Sequence, residues 1–435
     1  MPESDHIMQL SSCTGIISSG KNEAPVAFTL ECGVDGELTF NFSEILSIKR
    51  TGWLYDYLNQ NQRYSKNVSL KARDSATALD ISTDALICGL GIHSKGSKTV
   101  FNIDDAKCGM LQTIGKPRQK DGWYAWYQIQ GLQGLRNIQM ESALGLIDVS
   151  GSMDVKDHSL ISGHITIKRT KRFNGNFDQW IKQCDEQARR ILDIFSLAHG
   201  NYHRWTMGQY GNKRQTITRY YGKQKSDRRI FAVFHPLNPE PTLKLCLERY
   251  TEEISTQTGF SIAIKWLLEP QHYTDITYLS LFCALEHLID RFADKHISPL
   301  LEKHQKKVVK KELERTIKTL DNSILTRDIR KHLIKNLEGV FRLSLNDKLD
   351  MLCKHYRVSW DGIHDAAKLI NIRNRIVHGG CFSREEDESD HLYDYVAHLR
   401  ELLVRILLGI LDYEGKYFSY LDGQRHVTLP RASGV

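Results

Sequence analysis

The apolar residues of this chain change their spacing part-way along it, which restricts the folds open to it more than any other feature. Over about the first 170 residues they come in short runs that alternate or are rich in β-branched side chains, at 26–30, 38–42, 68–71, 99–103, 123–129 and 161–168. Turn chemistry separates them: Val34-Asp35-Gly36, Lys95-Gly96-Ser97 and Lys120-Asp121-Gly122. From Leu243 onward the spacing is three and four instead of two. Ile276, Leu279, Phe282, Cys283, Leu285, Leu288, Ile289 and Phe292 share one helical face, and so do Leu392, Val396, Leu399, Leu402, Leu403, Ile406, Leu407 and Ile410. A period of two belongs to half-buried strands and one of 3.6 to packed helices. The expected class is therefore α+β: a β-rich N-terminal module, sandwich- or barrel-like, followed by a C-terminal α-helical bundle.

A mixed stretch joins the two. Asp178 is placed to cap a helix carrying Trp180, Ile181, Cys184, Ala188, Ile191, Leu192 and Phe195, which ends near Gly200. Strands are expected at 203–210, 215–221 and 229–235, before prolines 236, 239 and 241 break the pattern. The expected organisation is a β-rich domain at 1–172 and a basic α/β connecting region at 173–271, grouped with the N-terminal module. A helical bundle at 272–420 and a tail at 421–435 complete it. Within the bundle, helices are expected near 300–320, 328–341 and 345–356, and from Asp361 to Gly379-Gly380, a pair suited to a left-handed stop.

Composition narrows the function by exclusion. With 41% hydrophobic and 26% charged residues the chain is of ordinary globular make-up, not disordered or fibrous. Nine scattered cysteines contain no C-x-x-C pair, which fits reduced thiols and offers no metal knuckle. The polar, acidic N-terminus is unlike a secretory signal, and the most apolar stretch, 404–411, is short and carries Arg405. A cytoplasmic protein without membrane contact is expected. H-E-x-x-H, the Walker loop and G-x-S-x-G are all missing from the sequence, so a metalloprotease, P-loop NTPase or α/β-hydrolase has no support. No cofactor is expected.

The charge of +7 is unevenly spread. Residues 160–230 hold 15 Lys/Arg against 5 Asp/Glu, a net +10, so the remainder of the chain is net −3. Tyr202, Trp205, Tyr210, Tyr220 and Tyr221 interleave with these cations, as in a phosphate-binding surface with stacking groups; a solvated strand face with inward aromatics would read the same way. The candidate RNA-binding residues are Lys168, Arg169, Lys171, Arg172, Lys213, Arg214, Arg228 and Arg229. Lys306 and Lys307 join them from a lysine strip on the basic helix.

The sharpest local signal is Arg373-Asn374-Arg375-Ile376-Val377-His378, closing the helix that ends at Gly379-Gly380. Asn374 and His378 lie four apart and share a face, with Arg373 beside Asn374 and Arg375 on the far side. His378 sits in the last turn, at the helix end whose dipole favours positive charge. Internal cleavage of RNA needs a proton taken from the 2′-hydroxyl, a proton delivered to the leaving oxygen, and charge on the phosphorane neutralised. A histidine can move protons near neutral pH, and an arginine fork can hold the non-bridging oxygens. Asn374 can orient His378 or hold a phosphate oxygen. Arg and Asn are poor metal ligands, so the set does not call for a metal. The same residues at a helix end can also serve structure alone: an arginine paired with a neighbouring acid, a histidine capping carbonyls.

Arg373-Asn-x-x-x-His378 at the end of a late bundle helix resembles the R-x(4–6)-H motif of the HEPN (higher eukaryotes and prokaryotes nucleotide-binding) superfamily. Tyr278-Leu-Ser-Leu-Phe-Cys-Ala-Leu-Glu286-His-Leu-Ile-Asp290 resembles the first helix of its ApeA-type branch, and the layout is similar to ApeA-like proteins of anti-phage defence. The resemblance covers about the last 140–150 residues by motif and the rest by layout. It implies a HEPN-type bundle and a metal-independent endoribonuclease that leaves a 2′,3′-cyclic phosphate and a 5′-hydroxyl, with tRNA the suspected substrate. It also implies a homodimer with a composite cleft, and an N-terminal domain that senses a phage-derived trigger or restrains the bundle. Arg373, Asn374 and His378 become the catalytic set and Glu286 a supporting residue. The alternative is a catalytically silent nucleotide- or RNA-binding module. Arg375 inside the motif and the acidic run 383–390 beyond it depart from the pattern.

Overall fold

A computed structural model of the chain describes residues 6–33, 37–43, 53, 68–95, 98–118, 122–132, 137–152, 161–221, 231–234, 240–269, 273–298, 300–321, 323–382, 389–421 and 423–432. The class is mixed α+β, with a large antiparallel sheet towards the N-terminus and helices towards the C-terminus. It divides into two compact units, Met1–Leu247 and Glu248–Val435. The mixed region expected at 173–271 is thus shared between them.

In the first unit, thirteen strands of the described residues form one antiparallel sheet. They are β1 (His6–Ser19), β2 (Asn22–Gly33), β3 (Leu38–Ser43), β4 (Val68–Asp74), β5 (Asp80–Lys95), β6 (Lys98–Cys108), β7 (Leu111–Gly115), β8 (Tyr124–Gln130), β9 (Ile138–Ser142), β10 (Gly145–Gly151), β11 (Ile161–Arg169), β12 (Trp205–Gly211) and β13 (Thr216–Tyr220). The order is β3-β2-β1-β4-β5-β7-β13-β12-β8-β11-β10-β9. Strand β5 changes partner along its length, pairing with β7 through 80–82 and with β6 through 86–95. Alternation decides which face is buried: Val26, Phe28, Leu30 and Cys32 of β2 point inward with Leu10, Cys13 and Ile17 of β1. The strands expected at 203–210 and 215–221 are β12 and β13, set inside the sheet between β8 and β7.

Two local expectations are corrected. Helix α1 (Phe177–His199) is capped by Asn176, not Asp178. The Asn176 side chain accepts from Gln179 N and the Gln179 side chain accepts from Asn176 N, a reciprocal box that Asp178 is two residues too late to make. Residues 231–234 are not a strand. Val233 N and Phe234 N both donate to Ala198 O at the end of α1, and Phe231, Val233 and Phe234 are buried there. Gly200 stops α1 at φ 66°, and a Cβ at that position would fall on Phe231 O. The rest of 229–235 lies outside the described residues.

Helix α2 (Glu240–Arg249) spans the division between the units. The second unit contains α3 (Glu252–Gln257), α4 (Phe260–Leu268), α5 (Thr274–His296), α6 (Lys303–Thr319), α7 (Arg327–Val340), α8 (Leu345–His355), α9 (Ala366–Gly379) and α10 (Ser389–Ile410). Helix α5 is the hub and packs against α3, α4, α8, α9 and α10. It buries Tyr278, Leu281, Phe282, Leu285, Leu288, Ile289 and Phe292, while Ile276 at its start stays exposed. Helices α6 and α7 pack on each other as a hairpin with Leu337 its one deeply buried side chain. Residues 423–432 are held by a short hairpin, β14 (Lys416–Ser419) with β15 (Arg425–Thr428), and by Arg431, which donates to Tyr356 O and Tyr413 O. Among the described residues no helix is long and apolar enough to cross a membrane.

Helix α9 starts later than its apolar pattern suggests. Asp365 caps it, accepting from Lys368 N at 2.8 Å. The preceding turn is held by Arg405, whose Nη1 donates to the carbonyls of Ser359 and Asp361 at 3.0 and 2.8 Å. Gly362 in the same turn has φ 74°, left-handed backbone that an α-helix does not contain, so α9 does not run back to Asp361.

Candidate functional site

The motif helix α9 is positioned from its buried face. Leu369, Ile372 and Ile376 are buried, and the Tyr278 hydroxyl of α5 donates to Leu369 O at 2.7 Å. That registration brings Arg373 opposite Glu286. Arg373 Nη2 lies 3.1 Å from Glu286 Oε1, and Nη1 donates to Asn374 Oδ1 at 3.2 Å. The guanidinium also faces the Phe282 ring, 6.0 Å from its centroid. These two bonds use two of five N–H donors, so the fork is fixed in direction while donors remain for a phosphate. Asn374 gives its amide oxygen to Arg373, which leaves its NH₂ as the group to present to a substrate.

His378 is exposed in the last turn of α9, and Gly380 ends the helix at φ 82° with its N–H on Ile376 O. No side chain from either glycine crowds the imidazole. Arg375 points elsewhere, over the Phe382 ring at 4.6 Å. Phe382 N in turn donates to Asp275 Oδ1 at 2.7 Å, which joins the end of α9 to the start of α5. Around this end Tyr273, Ile276, Val377 and Tyr393 are exposed. Residues 383–388 of the acidic run lie outside the described residues.

His287 and His296 of α5 serve packing. A Cβ at Gly259 would touch the His287 ring, whose Nε2 is buried with no hydrogen-bond partner, and burial lowers its affinity for a proton. His296 stacks on Phe292 at 5.0 Å.

The candidate RNA-binding residues separate into three groups. Arg169, Lys171, Lys213 and Arg214 come together around one cleft of about 670 Å³ in the first unit, with Trp123 and Phe177. Lys168 is exposed in β11, and Arg172 pairs with Glu141 at 3.1 Å. Lys306 is taken by Glu338 at 2.6 Å, which also holds Lys310 at 2.7 Å, while Lys307 is exposed. Arg228 and Arg229 lie outside the described residues.

Two features of the first unit bear on its sites. Trp123 belongs to the aromatic run 122–127, which reads either as strand core or as a ligand-stacking strand; it lies just before β8 and lines the cleft. Asp185 of α1 is the centre of a buried cluster, accepting from the hydroxyls of Tyr127 and Tyr210 and from Arg219 Nη1 at 3.1 Å. Burial raises the Asp185 pKa despite those donors. The three donors come from β8, β12 and β13, so the cluster pins α1 to the sheet; its members lie up to 92 residues apart, beyond the reach of a spacing rule.

Comparison with protein-family models, with curated proteins and with solved structures finds no match to this chain.

Proposed function

We propose that the protein is a metal-independent endoribonuclease of the anti-phage, abortive-infection type, acting in the cytoplasm through a HEPN-type bundle. The observation that carries this reading is the convergence of Arg373, Asn374 and Glu286, with His378 exposed one turn further along the same helix. The 2′-oxygen attacks the adjacent phosphorus as its proton leaves, the bond from phosphorus to the 5′-oxygen breaks, and that oxygen takes up a proton. The products are a 2′,3′-cyclic phosphate and a 5′-hydroxyl. Arg373 binds the non-bridging oxygens as charge builds on them, Asn374 orients the phosphate through its NH₂, and His378 carries a proton. Glu286 acts through Arg373 as a positioning residue.

One His378 cannot both accept and deliver a proton in the same step. A second copy facing the first supplies the other imidazole, and the exposed apolar side chains Ile276, Val377 and Tyr393 on the elements that meet there support such a homodimer. The N-terminal unit senses a trigger or restrains the bundle, and tRNA is the proposed target. The purified protein, incubated with tRNA in excess EDTA, is expected to produce fragments ending in cyclic phosphate. Fragments ending in 3′-hydroxyl, or no fragments, would refute the reading.

A further inference from the structure

The cleft of the first unit has a composition that neither strand packing nor solubility explains. Four cations, Arg169, Lys171, Lys213 and Arg214, line it, and no acid is among its described lining. Like charges gathered in one concavity repel unless an anion enters. The cations are held in place from the backbone. Asn212 Oδ1 accepts from Arg214 N at 2.7 Å and Gln215 N at 3.0 Å, which fixes the β12–β13 turn carrying Lys213 and Arg214. Arg169 donates to Phe173 O at 2.7 Å and lays its guanidinium 3.8 Å from the Trp123 ring centre. Its Nε is buried there with no hydrogen-bond partner, an unmet donor of the kind a native protein seldom keeps without a use.

The lining is also aromatic. Trp123 and Phe177 meet edge to face with centroids 5.3 Å apart, and both line the cleft. A volume of about 670 Å³ falls within the range of roughly 300–1,000 Å³ typical of small-ligand sites. Cations and aromatic rings lining one cleft match a ligand with both a phosphate and a planar ring. We infer that this cleft binds a phosphorylated nucleotide unit, its phosphate held by Lys171, Lys213 and Arg214 and its base against Trp123 and Phe177. The unit comes either from a free nucleotide or from the end of an RNA strand. The inference stands apart from whether the second unit cuts RNA.

The test is calorimetric titration of the full chain with ATP and, separately, with a 5′-phosphorylated oligouridylate. At least one is expected to bind at one equivalent per chain, and the one that binds identifies the source. The double variant Lys213→Ala/Arg214→Ala removes two exposed side chains from a turn whose Asn212 bonds remain, so its circular dichroism should match the wild type. Its affinity should fall at least about tenfold, as expected for losing two charge-assisted contacts. Lys171→Ala, on the segment that follows β11, should weaken the same ligand. Failure of both probes to bind, or equal affinity in wild type and both variants, would overturn the proposal.

Discussion

Arg373 on α9 is joined to Glu286 on α5 across 87 positions of sequence, Nη2 to Oε1 at 3.1 Å, each side chain about one-third exposed (30% and 33%). At that exposure an ion pair is worth about 0–1 kcal/mol, too little to explain the arrangement by stability. Its consequence is orientation: a long, rotamer-rich side chain is held in one direction, between Glu286 and Asn374. Glu286→Ala should therefore melt within a few degrees of wild type yet cut RNA about tenfold more slowly. Glu286→Gln, which keeps an oxygen acceptor, should recover part of the loss. A melting curve and a single-turnover rate on each variant check this.

The turn that precedes α9 is predicted to depend on Arg405. It is buried in the apolar run of α10, with Nε 3.0 Å from Glu401 Oε1 and 3.2 Å from the Tyr417 hydroxyl, which itself donates to Glu401. Arg405→Ala strands Glu401 in the interior and frees the Ser359 and Asp361 carbonyls. The cost should be about 3–5 kcal/mol, read by chemical denaturation. Arg405→Lys keeps the charge but not the fork and should be only partly restorative.

Gly380 should tolerate little. At φ 82° any L side chain is strained, although nothing within 4 Å of the added Cβ stands in the way. Gly380→Ala should cost about 1 kcal/mol through backbone strain alone, and Gly380→Asn less, because asparagine accepts this conformation more readily. The difference between the two melting temperatures separates strain from crowding.

Acid should weaken the link between α6 and α7 made by Glu338. Lys306 and then Lys310 hold the Glu338 carboxyl down to about 2 from an ordinary 4.5. A carboxyl lowered in the folded state contributes stability above its ordinary value and loses that contribution as pH falls towards its folded value. The melting temperatures of wild type and Glu338→Gln should therefore differ most above pH 5 and converge as the pH approaches about 2. Equal gaps at all pH values would mean that the two lysines do not act through charge.

What the sequence disclosed follows from how far each signal reaches. Helix periodicity is local, so α8 is legible within a residue and α5 and α10 within four, and Gly380 marks the end of α9. Strand β1 was not, because a shift in register between Leu10 and Cys13 breaks its alternation. The start of α9 departs from its apolar pattern because Gly362 turns left-handed and Asp365 caps the helix, after a turn held by Arg405, 40 residues on from Asp365. The motif residues were visible as a pattern, and Glu286 as a candidate, but the bond between Glu286 and Arg373 depends on packing between helices. Clustered charge was visible at 160–230, whereas the gathering of four of those cations around one cleft depends on strand order.

The central claim rests on Arg373 and His378 acting together on RNA. The most direct measurement is the single-turnover cleavage rate of a labelled tRNA by wild type, Arg373→Ala and His378→Ala, each at matched concentration in excess EDTA. The account predicts that either substitution lowers the rate about 10²–10⁴-fold while leaving circular dichroism and melting unchanged. Cleavage by all three at the same rate, with the same products, would contradict it.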